Sequence, residues 1–162
     1  MNYHKITKDD MLNGTGLRVV LWVSGCSLHC PNCHNPETHN PNFGMLFDDV
    51  AEKELLDSLK SDYINGITMS GGHPLEEYNY PEVLRLCKKI RSLYPTKTIW
   101  VYTGFTWEGI KDLEIMKYID VLVDGRFIES LKDPKLHWKG SLNQRVIDVQ
   151  KTLDKNEIVL YD

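Results

Sequence analysis

Residues 17–23 form an almost unbroken apolar run, Leu-Arg-Val-Val-Leu-Trp-Val, rich in β-branched side chains. Such a run reads as a buried strand. It leads straight into Ser24-Gly25-Cys26, and residues 24–42 are then dense in Pro, Asn, His and Gly. That composition marks a loop, and unstructured loops of about twenty residues are usually functional. Helical spacing begins at residue 49: Ala51, Leu55 and Leu59 share a face over 49–59, with Asp49 as the expected cap and Glu52 three residues on. Residues 67–69 form a short strand ending in Ser70-Gly71-Gly72. A second helix starts at Asn79, with Glu82 in the capping-box position and Val83, Leu86, Cys87 and Ile90 as its apolar stripe. Residues 98–102 predict a third strand ending at Thr103-Gly104, and a shorter helix follows Thr106, packing through Ile110 and Leu113. Residues 120–123 predict a fourth strand, ending at Asp124-Gly125-Arg126. Residues 145–149 and 157–161 are weaker strand candidates.

Strand and helix alternate and the strands are apolar, so the reading is α/β, with a mainly parallel sheet and helices outside. Cys26, Gly71, Gly104 and Asp124 each follow the carboxyl end of a strand, the edge where sites gather in such folds. A closed eight-stranded barrel needs at least about 200 residues. A chain of 162 residues with five or six strands predicts an incomplete, open (β/α) barrel or a strongly curved sheet. Its open side would admit a large substrate, such as a loop of another protein. No repeat, low-complexity tract or linker interrupts residues 1–162, which read as a single domain.

Composition removes several function classes. Apolar residues make up 41% of the chain, enough for a sizeable core. No stretch approaches the roughly 20 apolar residues that span a bilayer, and residues 1–10 are polar, without a signal-peptide core. The expectation is a cytoplasmic protein with no membrane partner. The 19 basic and 23 acidic side chains are mixed along the chain, giving a formal charge of −4. That is not the footprint of a nucleic-acid binder; Lys88-Lys89-Ile90-Arg91 reads as the solvated side of a helix.

The four cysteines carry the chemistry. Cys26, Cys30 and Cys33 lie within eight residues, whereas Cys87 sits far off in a helical stripe and reads as a small buried hydrophobe. Such grouping is a metal-site spacing in a reducing compartment rather than a disulfide pattern. Three thiolates can hold three irons of a 4Fe–4S cubane and leave the fourth iron open, whereas clusters used only for electron transfer normally have four. Zinc is the rival, because His29, His34 and His39 are close by and three cysteines plus one histidine make a structural zinc site. Reactive or buried thiols are a third reading. Ligand preferences favour iron–sulfur and leave the others open.

The pattern Cys26-Ser-Leu-His-Cys30-Pro-Asn-Cys33 resembles that of the radical S-adenosylmethionine enzymes. The resemblance narrows to the anaerobic ribonucleoside-triphosphate reductase activating proteins. It rests on Met1-Asn2-Tyr3, Asn13-Gly14-Thr15-Gly16 with Arg18, Ser24-Gly25-Cys26, Ser70-Gly71-Gly72 and residues 99–104, Ile-Trp-Val-Tyr-Thr-Gly. Residues 123–127, Val-Asp-Gly-Arg-Phe, and Trp138-Lys139-Gly140-Ser141 with Asn143-Gln144-Arg145 continue it in order, so that it spans nearly the whole chain. It implies one 4Fe–4S cluster on Cys26, Cys30 and Cys33 with S-adenosyl-L-methionine at the open iron. One electron then releases methionine and a 5′-deoxyadenosyl radical, which removes hydrogen from a glycine of the reductase large subunit and leaves a glycyl radical there. An external one-electron donor, such as a flavodoxin-type protein, is implied as well. A homodimer is one way to cover the open side. Alternatives are a radical enzyme acting on another glycyl-radical protein or a small molecule, and a non-enzymatic zinc-dependent interaction module.

The same resemblance distributes further roles. Ser70, Gly71 and Gly72 would hold the methionine amino group through backbone oxygens. Many relatives carry an acid after the two glycines, where this chain has His73. The superfamily often has an aromatic residue before the last cysteine, where this chain has Asn32; Asn32 and His34 both enter the cofactor-binding set, with His34 as the adenine-side candidate. Thr103 joins the cofactor-binding set from its strand end. Asp124 and Arg126 would bind polar groups of the cofactor or position the partner loop, against a structural ion pair as the plainer reading. Arg18, in a buried strand, needs a partner. Asn143, Gln144 and Arg145 would line the site or face the reductase. Trp138 is either an interface anchor or core. Trp22 and Trp100 are expected in the core and Trp107 at a surface contact.

Overall fold

The computed structural model describes residues 1–161. Seven strands make one sheet: β1 (Asn2–Asp10), β2 (Leu17–Val23), β3 (Met45–Leu46), β4 (Ile64–Gly71), β5 (Thr98–Tyr102), β6 (Val121–Asp124) and β7 (Arg145–Asp148). Their order is β3-β1-β2-β4-β5-β6-β7. The four central strands, β2, β4, β5 and β6, pair in parallel, and the flanking strands are antiparallel. Two edges, β3 and β7, stay unpaired with each other among the described residues, so the sheet is open.

The expected parallel centre is present, with β2 and β5 at their anticipated boundaries. Residues 1–10 correct the sequence reading. They form a nine-residue strand because β1 lies along β2, with Tyr3 opposite Val23 and Ile6 opposite Leu21. Only Tyr3 of that strand is buried, so its apolar content is too thin to announce a strand. The sheet therefore has seven strands rather than five or six. Residues 157–161 add only an isolated bridge, Leu160 to Ile147.

Alternation along the strands separates two faces. Val19, Leu21, Val23, Ile67, Met69, Ile99, Val101 and Leu122 share one core with the helices α1 (Asp49–Ser58), α2 (Tyr80–Leu93), α3 (Trp107–Ile110) and α4 (Val149–Lys155), which contribute Leu55, Val83, Trp107 and Val149. On α2 the buried positions are the anticipated Val83, Leu86, Cys87 and Ile90. Residues of the opposite parity, Trp100, Val121 and Val123, gather a smaller cluster with Tyr102, Trp138 and Tyr161. The helices thus cover one face and leave the other for a cavity.

Local details shift two caps. Asp48, not Asp49, caps α1, accepting from the Ala51 N–H at 3.0 Å. Asn79 precedes α2 but turns its amide away from the helix, donating to the carbonyls of Ser24 (3.0 Å) and His73 (3.1 Å). It thereby ties the start of α2 to the ends of β2 and β4. Arg18 is fully buried and has no carboxylate partner among the described residues. It donates to Thr68 Oγ1, Thr98 Oγ1 and the carbonyls of Thr15, Ile67 and Thr98, at 2.8–3.1 Å, and lies over the Trp100 ring. Five good acceptors replace the solvation a buried guanidinium loses.

Candidate metal and cofactor site

The loop after β2 is anchored by its backbone. Gly25 N–H donates to Thr38 O (2.6 Å) and Cys26 N–H to His39 O (3.1 Å), bending the far end of the loop back onto its start. His29 and Asn32, the residues before Cys30 and Cys33, both have positive φ, 47° and 57°. Each left-handed residue reverses the chain, turning the following cysteine inward; Asn accepts that conformation more readily than most residues. Cys26, Cys30 and Cys33 are all free, half-buried thiols on the wall of one cavity of about 440 Å³.

The strand ends form the rest of that wall. Ser70, Gly71 and Gly72 close β4, and Thr103 and Gly104 follow β5. Glycine is required at two of these positions. Gly71 has φ 101°, and a Cβ on Gly72 would stand 2.7 Å from Gly25 O and 2.8 Å from Thr38 O. A side chain there would push the cysteine loop off the strand. At Gly104 a Cβ would meet only the Leu28 side chain, whose flexible end can shift aside. Aromatic and polar side chains, Trp22, Tyr102, Phe127, Trp138 and Gln144, line the remainder.

Burial raises the Cys26 thiol pKa; the backbone N–H groups of Leu28 and His29 offset only part of this. A metal that binds there must displace a proton. A single tetrahedral zinc with Zn–S bonds near 2.3 Å places its thiolates about 3.8 Å apart. Among the described residues, the one set of three ligand atoms lying within 4.8 Å of one another is Cys26, His73 and Glu76, not the three cysteines. Three thiols spread around a cavity suit a cluster whose irons each take one thiolate.

The remaining sequence candidates divide by position. His34 is exposed at the cavity rim, its ring 5.4 Å from that of Phe127. Asn32, Asp124 and Arg126 do not line the cavity. Asp124 is buried in the plainer role: its carboxylate accepts from Trp107 N–H (2.7 Å) and from Arg145 Nη2 (2.6 Å) and Nε (3.1 Å). Arg126 donates to the Leu28 carbonyl and so braces the cysteine loop. Gln144 reaches the cavity, whereas Asn143 holds the Arg126 carbonyl and Arg145 bridges Asp124 and Glu108. Trp22 lines the cavity instead of the core, and Trp107 is buried rather than at a surface. Trp100 and Cys87 are core, as expected.

Sequence reasoning passed over Glu76, which is 7% exposed and accepts from both the N–H and Oγ of Ser27 at 2.7 Å. An acid placed just after the glycine turn, three residues from His73, was the available signal.

An open, mixed α/β sheet with three free cysteines at one strand end defines a cluster-binding domain, and residues 12–147 match the family model described as 4Fe-4S single cluster domain. The match favours iron–sulfur over zinc for the three thiolates. The chain is 44% identical to the anaerobic ribonucleoside-triphosphate reductase-activating protein of Enterobacteria phage T4, over 90% of this chain and 93% of that protein. It is 42% identical to the protein of the same description from Escherichia coli K12, over 90% and 97%, and 40% identical to that of Haemophilus influenzae, over 89% and 96%. The chain belongs to the family of anaerobic ribonucleoside-triphosphate reductase-activating proteins.

Proposed function

We propose that this chain, acting as one unit over residues 1–162, is a radical S-adenosylmethionine activase for the large subunit of an anaerobic ribonucleoside-triphosphate reductase. The observation that carries this reading is the convergence of Cys26, Cys30 and Cys33 with the Ser70–Gly72 strand end on one open-sided cavity. The relatives' description as activating proteins supports the partner. In this reading the sheet is an incomplete barrel of the radical S-adenosylmethionine type, with the helix-free face as its concave side.

When bound, a 4Fe–4S cluster supplies the single electron that cleaves S-adenosylmethionine to methionine and a 5′-deoxyadenosyl radical, the species that takes hydrogen from a glycine of the reductase. Cys26, Cys30 and Cys33 hold the cluster. Gly71 and Gly72 let the backbone of β4 come close to the aminoacyl end of the cofactor, and His34 with Phe127 offers ring surface to its adenine. The open side of the cavity, bordered by the exposed Leu12, receives the partner's loop. Three cysteines grouped at a metal-site spacing rather than in a disulfide pattern suit a cytoplasmic site of action beside a flavodoxin-type donor.

Anaerobic reconstitution tests this. The expected result is about four irons per chain, since one cubane holds four, with 5′-deoxyadenosine formed on reduction. A glycyl signal should then appear by electron paramagnetic resonance when the reductase is added. Stoichiometric zinc without iron, or no nucleoside release, would refute it.

A further inference from the structure

Cys26, His73 and Glu76 bring three ligand-type atoms within 4.8 Å of one another, yet their hydrogen bonds show that the two non-cysteine groups are not spare metal ligands. His73 is 1% exposed and both its ring nitrogens are engaged. Gly104 N–H points at Nε2 (3.4 Å), and a backbone N–H can only donate, so Nε2 carries the lone pair. The Thr103 hydroxyl therefore donates to the same nitrogen (2.7 Å), while its oxygen accepts from Phe105 N–H (3.1 Å). The ring proton then sits on Nδ1 and points to Glu76 Oε1 at 3.2 Å. Ser27 adds its N–H and its hydroxyl to that oxygen, each at 2.7 Å.

The donors run in one direction, from the end of β5 through Thr103 and His73, and from the cysteine loop through Ser27, onto one buried carboxylate oxygen. A neutral acceptor would satisfy the same geometry. Instead a carboxylate stands within 4.8 Å of the Cys26 sulfur. Three donors, the Ser27 N–H, the Ser27 hydroxyl and His73 Nδ1–H, converge on Oε1, an arrangement that suits an acceptor-only, ionised carboxylate.

We propose that Glu76 is a positioning residue that pins the first turn of the cysteine loop to the β4 and β5 strand ends, and that its fixed negative charge lowers the reduction potential of a cluster held by that loop. His73 transmits the restraint from β5. The proposal rests on the iron–sulfur reading of the site for its second half only. A buried charge within a few ångströms of the thiolate acts through a low dielectric, so its effect on adding an electron is large, whereas the hydrogen bonds depend on the acceptor and not on the charge.

Two variants separate these roles. Glu76→Gln keeps an acceptor for Ser27 and removes the charge; Glu76→Ala removes both. Hydrogen exchange on the metal-free protein, read by mass spectrometry over residues 26–30, should accelerate at least tenfold in Glu76→Ala and stay within about threefold of wild type in Glu76→Gln. A redox titration of reconstituted protein followed by electron paramagnetic resonance should show the cluster easier to reduce in Glu76→Gln. The expected change is at least tenfold in the reduction equilibrium, about 59 mV for one electron. Unchanged exchange in Glu76→Ala would overturn the positioning role, and an unchanged potential in Glu76→Gln would overturn the electrostatic one. If Glu76→Ala does not fold, Ser27→Ala in the same exchange experiment takes its place. Wild-type protein that loads no iron would refute the activase reading while leaving the exchange result to decide the loop restraint.

Discussion

Replacing Asp124 by alanine distinguishes a cofactor ligand from a structural anchor. The wild-type carboxylate is 1% exposed and serves two neighbours, the Trp107 N–H that opens α3 and the Arg145 guanidinium. Removing it strands a buried backbone donor, which costs about 1–3 kcal/mol. Breaking a fully buried ion pair costs about 3–5 kcal/mol. Here Arg145 is 31% exposed and keeps Glu108 at 2.8 Å, so only about 1 kcal/mol is assigned to that loss. The two together come to about 2–4 kcal/mol. At about 2–4 °C per kcal/mol for a domain of this size, Tm should fall by roughly 4–16 °C. Asp124→Asn keeps an acceptor for Trp107 and should lose less than half as much. Urea and thermal unfolding of the metal-free, reduced protein, followed by circular dichroism, give both numbers. S-adenosylmethionine binding to the reconstituted Asp124→Asn protein should remain within a few-fold of wild type. A variant with unchanged stability and abolished cofactor binding would refute this assignment and return Asp124 to the ligand set.

Gly72→Ala should cost about 1–3 kcal/mol, as overpacking does, and lower iron retention after reconstitution, because its Cβ meets Gly25 O and Thr38 O below 3 Å; iron analysis after gel filtration checks this. Cys87, at the centre of the helix face, has its thiol pushed up to about 12 by burial. It should resist iodoacetamide at pH 8 in folded protein and react on unfolding, and Cys87→Ala should leave iron content unchanged, whereas Cys26→Ala, Cys30→Ala and Cys33→Ala should each lower it. Burial pushes the Glu52 carboxyl up, but Lys89 and Arg85 outweigh that and hold it below its ordinary range. A depressed folded pKa gives stability that is present above the unfolded value near 4.3 and lost as pH falls through the folded one. Glu52→Gln should therefore flatten the acid side of the stability curve below about pH 4.5, measured by urea midpoints at stepped pH.

Much of this architecture was legible in local pattern. The α2 stripe was visible because a helix repeats every 3.6 residues, and β2 and β5 because a strand buried in a parallel sheet is almost wholly apolar. β1 was not legible: it gains its hydrogen bonds from β2 and buries little beyond Tyr3, so its residues read only as a polar stretch. The roles of Trp22 and Trp107 were misjudged for a related reason. Parity places Trp22 on the helix-free face, and the Asp124 carboxylate draws the first turn of α3 inward with Trp107.

Three cysteines on one loop after a buried strand, with glycines at the next strand end, can be read from the chain alone, since ligand type and short spacing are covalent facts. Its ordered set of motifs also carried the resemblance that the relatives bear out. Which polar residues face the cavity was settled by the packing of distant segments. Asp124 turned to Arg145, Arg126 to the Leu28 carbonyl, and Glu76 to Ser27 and His73. These partners lie up to about a hundred residues apart, and a buried polar group goes wherever folding brings a donor or acceptor to satisfy it.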